Sequence, residues 1–316
     1  MDLAASALIV IILGICGSGM IHLAKVMERH GIEIFDEIRA KLKNEEIHIE
    51  GKVRKPIIYF IGVTFNYTEF LLIMIANAVG SGNSALYTSM WGTGLVIVLV
   101  YSSVVLHEQV TRKLQAGTVL ILAGSVVLGI EAVFRPNYDQ ATISIPLAYL
   151  FLVVLGVIGA IAMFLGAKAK SSKLFGVASG VLAGGVGSLD VIFKNIGQSG
   201  SGSGHLIPTN VLDALVFLSS FGISGVSFIV SQWGFARKAP ASVVIPVYDS
   251  MYLITPILFQ VLLLQGYELY YSTLIGIALI VIGFVLMKAF SKEQLPEKAI
   301  TQEAPPALEN VTESQE

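Results

Sequence analysis

An all-α integral membrane protein is the fold this sequence predicts, on three observations. Apolar residues make up 54% of the 316 positions and charged residues only 13%, with a mean hydropathy of +0.77, more apolar than a water-soluble domain. Nine stretches come close to the ~20 residues a helix needs to cross the hydrocarbon layer. These stretches are continuously apolar, without the period-two alternation of a membrane barrel.

The predicted spans are 3–24, 57–79, 85–106, 114–133, 146–167, 174–196, 211–234, 241–264 and 272–290. Only Asp2 precedes the first, and no basic residue appears before Lys25, so the first span lacks the charged start of a cleaved signal. Once loops alternate sides, all but Arg135 and Lys194 of the 20 Lys and Arg residues fall on one side. The positive-inside rule makes that side cytoplasmic. A multi-pass protein of the cell membrane follows, with the N-terminus outside and the C-terminus cytoplasmic. Cysteines placed singly in a chain lacking Cys16 test this. An impermeant thiol reagent on intact cells should label position 201 and not position 291, and the reverse would overturn the orientation.

The first cytoplasmic loop, 25–56, carries Ile34, Phe35, Ile38 and Leu42 at helical spacing, compatible with a helix lying in the headgroup region or a solvated loop. Residues 291–316 are polar, with Pro305 and Pro306, and read as a disordered tail. The lone Cys16 excludes an intramolecular disulfide.

The chain matches itself in one place. Tyr87-Thr88-Ser89-Met90 recurs as Tyr248-Asp249-Ser250-Met251, and Gly117 and Gly124 recur with the same spacing as Gly276 and Gly283, after turns holding Glu108 and Glu268. The third span runs inward and its counterpart, the eighth, runs outward. This pattern predicts two inverted halves, residues 1–133 with four spans and 134–290 with five. Such halves place a substrate site near mid-membrane, reached alternately from each side.

With Glu108-Gln109-Val110-Thr111 ahead of Gly117 and Gly124, the chain resembles the drug/metabolite transporter superfamily, also called DMT or EamA-like. Within it the chain is most similar to the NIPA magnesium transporters, which have nine spans. The matching residues are Gly187, Asp190, Val191, Lys194 and Gly197, then Gln232, Ala236 and the run Ser242-Val243-Val244-Ile245-Pro246-Val247-Tyr248. Glu69 stands where that family has a buried glutamate. The sequence departs from the family at Ala85-Leu86-Tyr87, which replaces a Pro-Leu-Gly element, and at Asp249, where an aromatic is usual.

Charges inside spans cost about 2.5–3.5 kcal/mol each and call for a partner, a cavity or a use. Glu69 shares a helical face with Gly62, Asn66 and Asn77; Asp249 shares one with Ser242, Pro246, Pro256 and Gln260. The prolines there predict an interrupted helix with free carbonyls. Asp190 and Lys194, four apart, can pair across one turn. His22 reads as an interfacial histidine. Glu69, Asn66, Asp249, Tyr248, Asp190 and Lys194 are therefore the expected pathway residues. Glu69 and Asp249 are the expected oxygen ligands for a divalent cation, Mg²⁺ first, the substrate the resemblance implies. The alternative is a proton-coupled carrier of a small organic solute, with Tyr87, Trp91 and Tyr248 forming an aromatic pocket. No nucleotide loop, zinc-helix motif or nucleophile elbow points to a cofactor or an enzyme, and nothing points to nucleic acid.

Overall fold

A computed structural model describes residues 3–32, 54–79, 84–108, 110–135, 138, 142–169, 171–199 and 205–289. Among them the regular structure is helical, without a strand. The helices are α1 (Leu3–Gly31), α2 (Arg54–Val79), α3 (Ser84–Ser89), α4 (Leu95–Val104), α5 (Arg112–Phe134), α6 (Ile145–Lys168), α7 (Ser172–Ser199), α8 (Val211–Ala236), α9 (Ala241–Leu263) and α10 (Tyr271–Ala289). Eight helical stretches are long and apolar enough to cross a bilayer, with α3 and α4 together making one of them, and Tyr271–Met287 is a shorter ninth apolar helix. These are the marks of a multi-pass membrane protein. The possible interfacial helix at 34–42 and the tail at 291–316 lie outside the described residues.

The predicted boundaries need two corrections. First, α1 continues past position 24, where hydropathy ends the span, to Gly31. Lys25 and Glu28 allow this because both are buried against protein groups, so neither has to leave the membrane. Second, the interruption expected at the prolines of the eighth span lies instead in the third. Helix α9 runs unbroken through Pro246 and Pro256, whereas a 3₁₀ turn, Trp91–Gly94, separates α3 from α4. Side chains of α1 support that turn. The Ser18 hydroxyl donates to the Trp91 carbonyl at 2.5 Å and accepts from the Gly94 amide at 2.9 Å.

The packing is selective. Helix α1 lies along α2 and against the α3–α4 segment; α7 lies along α8 and against α9; α5 lies along α10. Helix α7 is the most enclosed: its glycines let neighbouring backbones approach, and nearly its whole length from Phe175 to Gln198 is buried. The α5–α10 contact is glycine on glycine. A methyl added at Gly117 would lie 2.6 Å from the Gly283 carbonyl oxygen, and one at Gly124 would lie 2.7 Å from that of Gly276. Gly124→Leu should therefore lower thermal stability in detergent, by about 1–3 kcal/mol or more. Gly156→Leu on α6, where a Cβ meets open space, should leave stability unchanged. Equal melting curves for the two variants would contradict this packing.

Candidate functional site: a charged cavity within the helix bundle

Spans α1, α2, α7, α8 and α9, with Trp91 of the 3₁₀ turn, surround a cavity of ≈ 60 Å³, room for about four waters. Glu69, Asn66, Lys25, Asp190, Lys194 and Tyr248 all lie on its wall. Five of the six residues expected from the sequence thus meet at one place, drawn from both halves of the chain.

The sixth, Asp249, does not line the cavity. Its Oδ2 lies 2.5 Å from Nε2 of His22, and both side chains are fully buried. His22 is therefore not interfacial, correcting the sequence reading. Its Nδ1 lies 2.5 Å from the Ser18 carbonyl, which can only accept, so Nδ1 carries a hydrogen. A single proton then bridges Nε2 and Oδ2, and the pair is neutral as a unit however that proton is shared. Asp249 Oδ1, also buried, has no hydrogen-bond partner among the described residues.

The remaining charges are each matched differently. Lys194 donates to Asp190 one helical turn away, the pairing that the i,i+4 spacing allows, and its ammonium sits 4.8 Å from the Phe221 ring centroid. The Lys25 ammonium faces the Tyr248 ring at 4.1 Å, a cation–π contact. Glu28 accepts from Asn66 at 2.8 Å and from Gln232 at 2.5 Å. Glu69 accepts from the Tyr87 hydroxyl and has no ion pair among the described residues. Of the two carboxylates on the wall it is the unpaired one, and with Glu28 behind Asn66 three acids stand against Lys25 and Lys194.

Aromatic rings complete the wall. Trp91 stacks on Tyr252 with centroids 4.2 Å apart and planes at 8°, and Tyr248 stacks on Tyr252 at 5.6 Å. Lys25 and Glu28 were missed in the sequence because hydropathy closes the first span before them, and His22 was read as interfacial because it lies close to that predicted end. The signal for them is the shared helical face of Gly14, Ser18, His22, Lys25 and Glu28, at spacings of four and three.

A smaller cavity of ≈ 30 Å³ lies where the C-terminal end of α5 meets the start of α10. There Glu131 accepts from Ser272, from Thr273 at 2.6 Å and from Arg135 at 2.6 Å. Arg135 also lies over the rings of Tyr267 and Tyr270. Burial pushes the Tyr267 hydroxyl up to about 12 against the opposing effect of Arg135, so this tyrosine is neutral at physiological pH. The cluster reads as a clasp between α5 and α10. No group of three or more His, Cys, Asp or Glu side chains placed to hold a metal occurs among the described residues. No family model, curated protein or solved structure matches the chain.

Proposed function

We propose that the protein is a secondary transporter of the drug/metabolite transporter kind, carrying a small cationic solute through the charged cavity. The observation that carries this reading is the excess carboxylate. Glu69 and Asp190 line a mid-membrane cavity together with Lys25 and Lys194, Glu28 behind Asn66 adds a third acid to the two lysines, and Glu69 has no ion pair among the described residues. An uncompensated carboxylate at that depth needs a positive charge, a proton or a cation. Exchange of one for the other at Glu69 is transport chemistry. The aromatic wall favours an organic cation, whose charge the ring faces attract.

Reciprocal contacts support the inverted halves. If Gly117 corresponds to Gly276 and Gly124 to Gly283, the contact of Gly117 with Gly283 maps onto that of Gly276 with Gly124. The Tyr87 and Tyr248 runs correspond, which makes Trp91 the counterpart of Tyr252, and these two rings stack on each other. A residue touching its own counterpart marks a two-fold axis. Tyr87 packs its hydroxyl on Gly17 and its carbonyl on Gly14, and Tyr248 packs the same groups on Gly187 and Gly184.

The divalent-cation reading stands second. Asn66, Glu69, Asp190, Ser224 and Ser227 offer oxygens to the cavity, as Mg²⁺ prefers, but Lys25 and Lys194 also line it and would repel a 2+ ion. Transport assays in proteoliposomes, with tetramethylammonium and Mg²⁺ as separate probes, test the two readings side by side. Saturable entry of tetramethylammonium supports the first. Entry of Mg²⁺ alone supports the second, and entry of neither refutes both.

A further inference from the structure

The cavity has one wall unlike the rest. Among its lining residues those of α1, α7, α9 and the 3₁₀ turn are all buried, as are Glu69 and Ser227. The residues with appreciable exposure are Asn66, Tyr67, Phe70, Phe221, Ser224 and Phe228, with Tyr67 at 46%. The first three belong to α2 and the others to α8. What closes the cavity between these helices is two aromatic contacts, Tyr67 with Phe228 at 5.5 Å and Phe70 with Phe221 at 5.4 Å between centroids. Beside them Gly222 and Gly225 present no side chain, and a Cβ at either would meet open space.

Depth decides what lies outside that wall. Residues 66–70 fall in the middle of α2 (Arg54–Val79) and residues 221–228 in the middle of α8 (Val211–Ala236). A helix rises about 1.5 Å per residue, so both positions are more than about ten ångströms from either helix end. The outside is the hydrocarbon layer, not water.

We infer that the cavity opens sideways into the bilayer between α2 and α8, and that its solute is a cationic amphiphile, with its charged head at Glu69 and its apolar tail leaving between the aromatic pairs. Glu28 behind Asn66 leaves this buried cluster one positive charge short, which fits a single positive head. Four aromatic rings at the mouth fit an alkyl or aromatic tail, and the cavity, which holds only a few waters, has space for a head and not a whole drug-sized molecule. Tyr67 and Phe228 then act as leaves of a lateral gate, and their side chains need only rotate for a tail to pass.

This inference rests on the cavity being the solute site, and the test separates the two. The chain has two tryptophans. Trp91 lines the cavity, while Trp233 faces outward, 50% exposed. In the full chain with Trp233→Phe, Trp91 fluorescence reports on the cavity in proteoliposomes of lipids brominated at mid-chain. Quenching of this buried residue should rise severalfold when Tyr67→Ala and Phe228→Ala are combined. Tyr67→Leu with Phe228→Leu, which keeps the mouth apolar and bulky, guards against loss of folding and should give a smaller rise. Decyltrimethylammonium, at amounts that leave the bilayer intact, should reverse the quenching, whereas equimolar tetramethylammonium should reverse it far less. Quenching that none of these substitutions changes would overturn the lateral opening, even if tetramethylammonium is transported. Quenching that responds to the substitutions but equally to both ammonium ions would overturn the amphiphile. If decyltrimethylammonium reverses quenching as strongly in Glu69→Gln as in its parent, the head does not sit at Glu69 and the cavity is not the cation site.

Discussion

Glu69→Gln is expected to abolish cation flux while the protein stays folded. The amide keeps the size of the side chain and can still meet the Tyr87 hydroxyl, which touches Glu69 now, so packing is preserved. What is lost is the one carboxylate lining the cavity that has no ion pair among the described residues. A cation about 4 Å from a carboxylate gains roughly 4 kcal/mol at an effective dielectric near 20, about a thousandfold in affinity. Binding of tetramethylammonium to the purified protein and its uptake into vesicles should fall together, with the melting temperature unchanged or raised. A variant that transports like the parent would show that Glu69 is structural and that the charge excess has no use.

Lys194→Met should be as damaging, but to stability. Lys194 is fully buried and donates to Asp190, so removing it leaves a carboxylate stranded inside α7, the most enclosed helix. Breaking such a pair from one side typically costs about 3–5 kcal/mol, whereas replacing both partners with apolar residues is often close to neutral. Lys194→Met and Asp190→Leu should each express poorly and melt early, and the double variant should recover most of the loss. Thermal unfolding of the three proteins in one detergent forms a double-mutant cycle. Additive losses would mean that the two charges answer to other groups.

The parts of this protein that could be read from its sequence are those with a local signal. The spans declare themselves by length and hydropathy, and the Asp190–Lys194 pair by its spacing of four. The end of α1 did not, because the charges of Lys25 and Glu28 signal a loop until one knows that Tyr248, Asn66 and Gln232 surround them. The His22–Asp249 bond joins residues 227 positions apart, a distance at which no periodicity speaks. Prolines misled in α9, where burial against α7 and α1 holds the helix through Pro246 and Pro256. The break in the third span had only Gly92 and Gly94 to announce it, because its support comes from Ser18 on another helix. The wall between α2 and α8 was equally hidden, since an aromatic facing lipid and one closing a cavity have the same hydropathy.

The most direct test of the account is uptake of labelled tetramethylammonium into proteoliposomes holding the full chain and an inside-negative potential. One positive charge gains about 2.3 kcal/mol per 100 mV, so accumulation should saturate with concentration, exceed that of protein-free vesicles and disappear in Glu69→Gln. Uptake no greater than in empty vesicles, from a protein that remains folded, would contradict the claim that this cavity carries a cation.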